Sequence, residues 1–196
     1  MATSMRALAL PEFGRSVLIR WLIATVAFPI GGYLGNAVGG AAATVPAALI
    51  SGLIAGGIIG LGQGLAIGLR GQAVILWLAV SGVALGVALA AVTATVGQID
   101  TTLDAVLLGA VSGLAIGGVQ AALLMRDRFA NTWIWVVASA IAWAIGWLIT
   151  AGAVGVGLAP GWPVYGLSGA LVSQVITGVV LWKVLSRGEA TALAAA

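Results

Sequence analysis

The sequence predicts an all-α membrane protein: six transmembrane helices arranged as three two-helix hairpin repeats with pseudo-threefold symmetry. Three observations predict it. The first is composition: 62% of the 196 residues are hydrophobic, 7% are charged and 30 are glycine, against roughly 25% charged residues in a soluble domain. The second is a row of small residues at every fourth position that recurs along the chain. Gly52, Gly56 and Gly60 are followed 57 residues later by Gly109, Gly113 and Gly117, and a third row reads Gly169, Ser173 and Thr177. Such rows let helix backbones approach closely in a membrane, where packing rather than water drives association. The third is charge. With six crossings, all eight Lys and Arg residues fall on one side, while Asp100 and Asp104 mark the other. The positive-inside rule then places both termini in the cytoplasm.

The elements follow in order. Residues 1–14 are broken by Pro11 and Gly14 and read as a short surface segment rather than a cleaved signal, since no small-residue cleavage site follows a distinct apolar core. The first span is expected over about 16–38, with a kink around Thr25–Pro29 because proline removes a backbone donor and clashes with the preceding turn. Further spans are expected over about 46–69, 72–95, 102–125, 132–156 and 164–186, separated by polar or Gly/Pro punctuation such as Gly157–Pro163. The alanine-rich tail from Arg187 to Ala196 is expected to be frayed helix or disorder. Six spans of about 20 residues nearly exhaust the chain, so residues 1–196 form one transmembrane domain with short cytoplasmic tails.

The odd helices repeat too. Trp21 precedes Thr25 by four residues, Trp77 precedes Ser81, and Trp135 precedes Ser139, each in the first turns of a span. The repeat unit is therefore a hairpin, with copies at about 15–71, 72–130 and 131–187. Parallel repeats of this kind relate by an axis along the membrane normal. The small-residue rows are read as helix-packing surfaces that bring the three even helices together around that axis.

Gln63 and Gln120 continue their rows one turn later, and Val180 stands at that offset after the third. An amide about 10 Å inside a charged helix end needs a partner, since an unpaired polar group in hydrocarbon costs several kcal/mol. These two, with Gln174, are candidates for a polar layer or a ligand contact. Span five carries Trp135, Ser139, Trp143 and Trp147 on one stripe, a second candidate ligand surface. Trp21, Trp77, Trp133, Trp162 and Trp182 lie near helix ends and read as interfacial anchors.

Several chemistries are excluded. With no cysteine and no histidine, the chain has no disulfide, no thiol nucleophile, no imidazole base and no imidazole metal ligand, and no metal site is expected. The string Gly166–Gly169 resembles the GxSG motif of rhomboid intramembrane proteases, but Ser168 has no histidine to pair with. No charged residue lies deep inside a span, which removes the usual parts of proton relays and ion-coupled carriers. The basic residues are scattered at helix ends rather than clustered, so nucleic acid is not expected as a partner. In its glutamine before a basic helix end (Gln63 with Arg70, Gln120 with Arg126) and its tryptophan-led partner helix, the chain resembles small bacterial membrane proteins with repeated Gly-rich helices.

The functional expectation is a non-enzymatic, multi-pass protein of the bacterial plasma (inner) membrane. It would be an accessory or assembly subunit of a larger photosynthetic or respiratory membrane complex, packing helices against other subunits. Membrane lipids are its expected surroundings. The sequence requires no cofactor, but bound lipid, quinone or carotenoid fits the composition. Two alternatives are a passive channel or carrier for a small neutral or apolar molecule, and a lipid- or isoprenoid-binding protein without partners.

Overall fold

The computed structural model describes residues 15–126, 131–154 and 167–194, and every regular element among them is helical. Helix α1 (Arg15–Ile23), one 3-10 turn (Ala24–Val26) and α2 (Ala27–Gly39) follow one another as a continuous rod. Then come α3 (Val45–Ala66), α4 (Gln72–Val96), α5 (Thr102–Arg126), α6 (Trp133–Val154) and α7 (Leu167–Ala194). Five stretches are long and apolar enough to cross a membrane: Arg15–Gly39, Val45–Ala66, Gln72–Val96, Thr102–Leu124 and Trp133–Ala153. Leu167–Lys183 is a shorter apolar stretch in α7. The surface segment expected over 1–14 and the turn expected over 157–163 lie outside the described residues. The tail expected as frayed helix or disorder is helical to Ala194, as the end of α7.

The helix ends follow from local chemistry. Thr44 caps α3, its hydroxyl accepting from the Ala47 amide at 3.4 Å, with Pro46 in the first turn, where its missing N–H has no partner to lose. A Schellman motif ends α3: the Leu69 amide bonds to Gly64 O at 2.9 Å and the Gly68 amide to Leu65 O at 3.1 Å. Gly68 and Gly71 have φ of 86° and 56°, which lets the chain reverse within five residues before α4. A capping box opens α5. The Asp104 amide donates to Thr101 Oγ1 at 3.1 Å, and the Thr101 amide donates back to Asp104 Oδ2 at 3.0 Å. The irregular turn in the first rod falls just before Pro29, in the segment where a kink is expected.

Successive helices lie side by side, and α1 lies against α7, so the bundle closes into a ring. The closest pairs are α3 with α4 and α5 with α6. Among the described residues, α3, α5 and α7 do not meet one another at backbone distance. The expectation that the small-residue rows draw the three even helices together is therefore corrected: the rows face neighbouring helices in the ring. A Cβ on Gly52 would lie 2.6 Å from Gly86 Cα, one on Gly56 2.5 Å from Ser81 O, and one on Gly60 2.7 Å from Ser81 Cβ. On α5, a Cβ on Gly109 would lie 2.5 Å from Trp143 O and one on Gly117 2.7 Å from Ser139 Cβ, while Gly113 abuts Ser139 O. Gly169 abuts Gly146 of α6.

Candidate functional site

Side chains, not backbones, span the interior of the ring. At the level of Trp21, Trp77 and Trp135 the bundle is filled by an apolar cluster that includes Leu124 and Leu181. Threaded through it is a chain of hydrogen bonds. Trp135 Nε1 donates to Gln120 Oε1 at 3.2 Å, and Gln120 Nε2 donates to Gln63 Oε1 at 3.0 Å and to Ser81 Oγ at 3.1 Å. Gln63 Nε2 donates to Gln174 Oε1 at 3.1 Å, and Gln174 Nε2 donates to Trp21 O at 2.9 Å. Trp21 Nε1 returns a bond to Gln174 O at 3.0 Å and reaches Thr177 Oγ1 at 3.3 Å.

The direction of this chain is set by its ends. An indole N–H can only donate and a backbone carbonyl can only accept. Starting at Trp135 and finishing at Trp21 O, each of the three amides must therefore accept on one side and donate on the other. Gln63, Gln120 and Gln174 are 3%, 1% and 1% exposed, so the network replaces water for all three. The amides of Gln63 and Gln120 turn inward, and Gln174 joins them. The layer is polar on its third side as well, where Val180 alone would leave it apolar.

Two expectations for tryptophan are corrected here. Trp21 and Trp77 are buried with Trp135 rather than anchored at an interface, whereas Trp133 and Trp182 are exposed. Small neighbours make room for the rings: a Cβ on Gly178 would lie 3.0 Å from Trp21 Cδ1, and one on Gly64 would lie 3.4 Å from Trp77 Cδ1. Trp21 and Trp135 meet edge to face with centroids 5.8 Å apart. Thr25 Oγ1, Trp77 Nε1 and Ser112 Oγ are buried without a hydrogen-bond partner among the described residues.

Farther along the axis, toward the end where α2 finishes and α3 begins, lies a cavity of about 200 Å³. Trp143 and Trp147 of the aromatic stripe line it, together with Phe28, Ile59, Leu85 and Leu89. Phe28 and Trp143 pack with centroids 5.4 Å apart. Among the described residues, the polar side chains on its wall are Asn36, Ser51, Thr150 and Ser173, all neutral. Ser51 Oγ donates to Gly40 O at 3.0 Å, and Ser173 Oγ reaches Ala142 O at 2.8 Å and Gly169 O at 2.9 Å.

The stripe of Trp135, Ser139, Trp143 and Trp147 is thus divided: Trp135 belongs to the amide layer, Ser139 packs on Gly113 and Gly117, and the last two face the cavity. Sequence reasoning did not single out Trp21, Ser81, Phe28 or Asn36 as site residues. Their signal was present in two forms. Trp21 and Ser81 hold the repeat positions of Trp135 and Ser139, and Phe28, Gly32 and Asn36 are spaced four apart on α2. Among the described residues, no three His, Cys, Asp or Glu side chains cluster as metal ligands would. Comparisons with family models, with curated proteins and with solved structures find no match to this chain.

Proposed function

We propose that the chain is a non-enzymatic integral membrane protein, an accessory subunit that holds one lipid or other hydrophobic molecule within its helix ring. The observation that carries this reading is the cavity: among the described residues it is uncharged and walled by aromatic and aliphatic side chains. Pockets that take small ligands are mostly apolar, with few convergent polar groups. The absence of histidine and cysteine from the sequence supports a role without catalysis.

The same proposal includes six crossings, cytoplasmic termini and three hairpin repeats about a pseudo-threefold axis. Support for the sixth crossing is the apolar stretch Leu167–Lys183, which belongs to a helix lying against both α6 and α1. Support for the repeat is the recurrence of one contact: Gly60 meets the Ser81 side chain as Gly117 meets that of Ser139. Support for the orientation is that Arg15 and Arg70 are exposed at one end of the ring and Asp100 at the other. A passive pore along the axis ranks second, because the buried layer of glutamines and tryptophans would have to part before anything crossed.

Purification in mild detergent, followed by solvent extraction and mass spectrometry, tests this reading. One hydrophobic molecule per chain, migrating with larger membrane proteins, is the expected result. A bare chain that migrates alone with no bound molecule would overturn it.

A further inference from the structure

The shape of the cavity narrows the ligand to one chemical class, an inference that rests on the ligand-holding role above. On α2 the lining runs from Phe28 to Asn36, and on α3 from Ile59 to Ser51. Eight residues of helix on each wall make the cavity about 12 Å long. An apolar cavity of about 150 Å³ holds the six carbons of benzene, so about 200 Å³ holds, in proportion, about eight. Eight carbons in an extended chain, with tetrahedral bonds of about 1.5 Å, measure about 9 Å between the end carbons and about 12 Å with their van der Waals radii included. Length and volume therefore agree for carbons in single file. A ring of the same number of atoms would need more width and would leave the length empty.

The walls suit hydrocarbon. The hydroxyls of Ser51 and Ser173 already donate to backbone carbonyls, so they offer little to a polar group. Among the described residues the helices also leave a way in. Helix α1 is tied to α7 by the Trp21 bonds to Gln174 and Thr177. After the 3-10 turn, α2 leans on α3, with Gly31 against Ala55 and Gly35 against Ser51, and largely parts from α7. The cavity occupies the wedge so opened, with Gly32 of α2 on one side and Ala170 of α7 on the other. We infer that the cavity takes the methyl end of one fatty acyl chain of a bilayer phospholipid, inserted between α2 and α7, and not a quinone ring.

The test uses the full chain in nanodiscs of dioleoyl phosphatidylglycerol, released gently and weighed by native mass spectrometry. One retained phospholipid is expected on the unaltered protein, with occupancy falling at least tenfold in Gly32→Leu and in Ala170→Phe, whose side chains would fill the cavity. Equal retention in both folded variants would overturn the inference. A second measurement needs no filled variant. In phosphatidylglycerol brominated near the chain ends, the protein should lose more tryptophan emission than its Trp143→Phe variant does, and equal fractional loss in the two would also overturn it. Protein taken from cells separates the two levels of the argument. A ring or isoprenoid compound bound there and lost on filling leaves the ligand-holding role standing and removes the acyl chain. No bound molecule in any preparation removes both.

Discussion

Gln120 donates its side-chain amide to Gln63 at 3.0 Å across 57 residues of chain. The bond joins α5 to α3, two helices whose backbones do not meet among the described residues. It is thus a strut across the interior rather than a consequence of close packing. Each of these amides is used on both sides, so removing one leaves donors and acceptors stranded in an apolar cluster.

Gln120→Leu strands Trp135 Nε1 and Gln63 Oε1 together. The expected cost is about 0.6–2 kcal/mol, the range for hydrogen bonds between membrane helices. Gln63→Leu should cost a similar amount. The double variant should cost less than the two added, because the second change removes groups that the first had already orphaned. Reversible unfolding in mixed micelles measures this cycle, and strict additivity would mean that the amides act independently.

The glycine rows predict a contrast between positions of the same residue type. Gly52→Ala puts a methyl where Gly86 Cα lies at 2.6 Å, and the three nearest atoms are all backbone, so α3 and α4 must separate. A cost of about 1–3 kcal/mol is expected from overpacking. Among the described residues, nothing lies within 4 Å of a Cβ built on Gly118 or Gly152. Alanine at either should be neutral or stabilise by about 0.5–1 kcal/mol through helix propensity. Equal melting temperatures for the Gly52 and Gly118 variants would contradict the packing described.

Much of this arrangement is legible in the sequence because its signals are periodic. The helices α3, α4 and α5 begin within one residue of the expected spans, since apolar length and Gly or Thr punctuation fix them. The inward turn of Gln63 and Gln120 follows from the cost of a lone amide in hydrocarbon. What the sequence hid is which neighbour each row faces. A small-residue row says only that a backbone comes close, and Gly56 cannot announce whether that backbone is α4 or α5. Trp21 was hidden for a related reason: a tryptophan near a helix end suits an interface equally well until Gly178 is known to sit beside it.

Helix α4 gives a direct test of orientation, because both its ends are exposed. Gln98→Cys, just beyond the Gly97 cap, should react with a membrane-impermeant maleimide in intact cells. Gln72→Cys, at the start of the same helix beside Arg70, should react only after the cells are opened. Reversed labelling would place the arginines outside, against the positive-inside rule. It would remove the cytoplasmic termini with it.

The third repeat offers the sharpest test of the symmetry proposal. Trp21 and Trp135 lie 114 residues apart, twice the 57 that separate Gln63 from Gln120, and the same step carries Gln63 to Thr177. Thr177 Oγ1 accepts from Trp21 at 3.3 Å, as Gln120 Oε1 accepts from Trp135 at 3.2 Å. This register makes Thr177 the counterpart of the two glutamines and puts Gln174 in the place of Gly60 and Gly117. Thr177→Val should then cost about 0.5–1.5 kcal/mol, a single hydrogen bond. The loss should stay small because Trp21 Nε1 keeps Gln174 O at 3.0 Å. The Trp21 indole proton should shift in the NMR spectrum while that of Trp135 stays in place. Val180→Gln should instead destabilise, since its amide would enter apolar surroundings with no seat in the layer. A neutral Thr177→Val beside a stabilising Val180→Gln would restore the other register, in which Val180 follows the row of Gly169, Ser173 and Thr177.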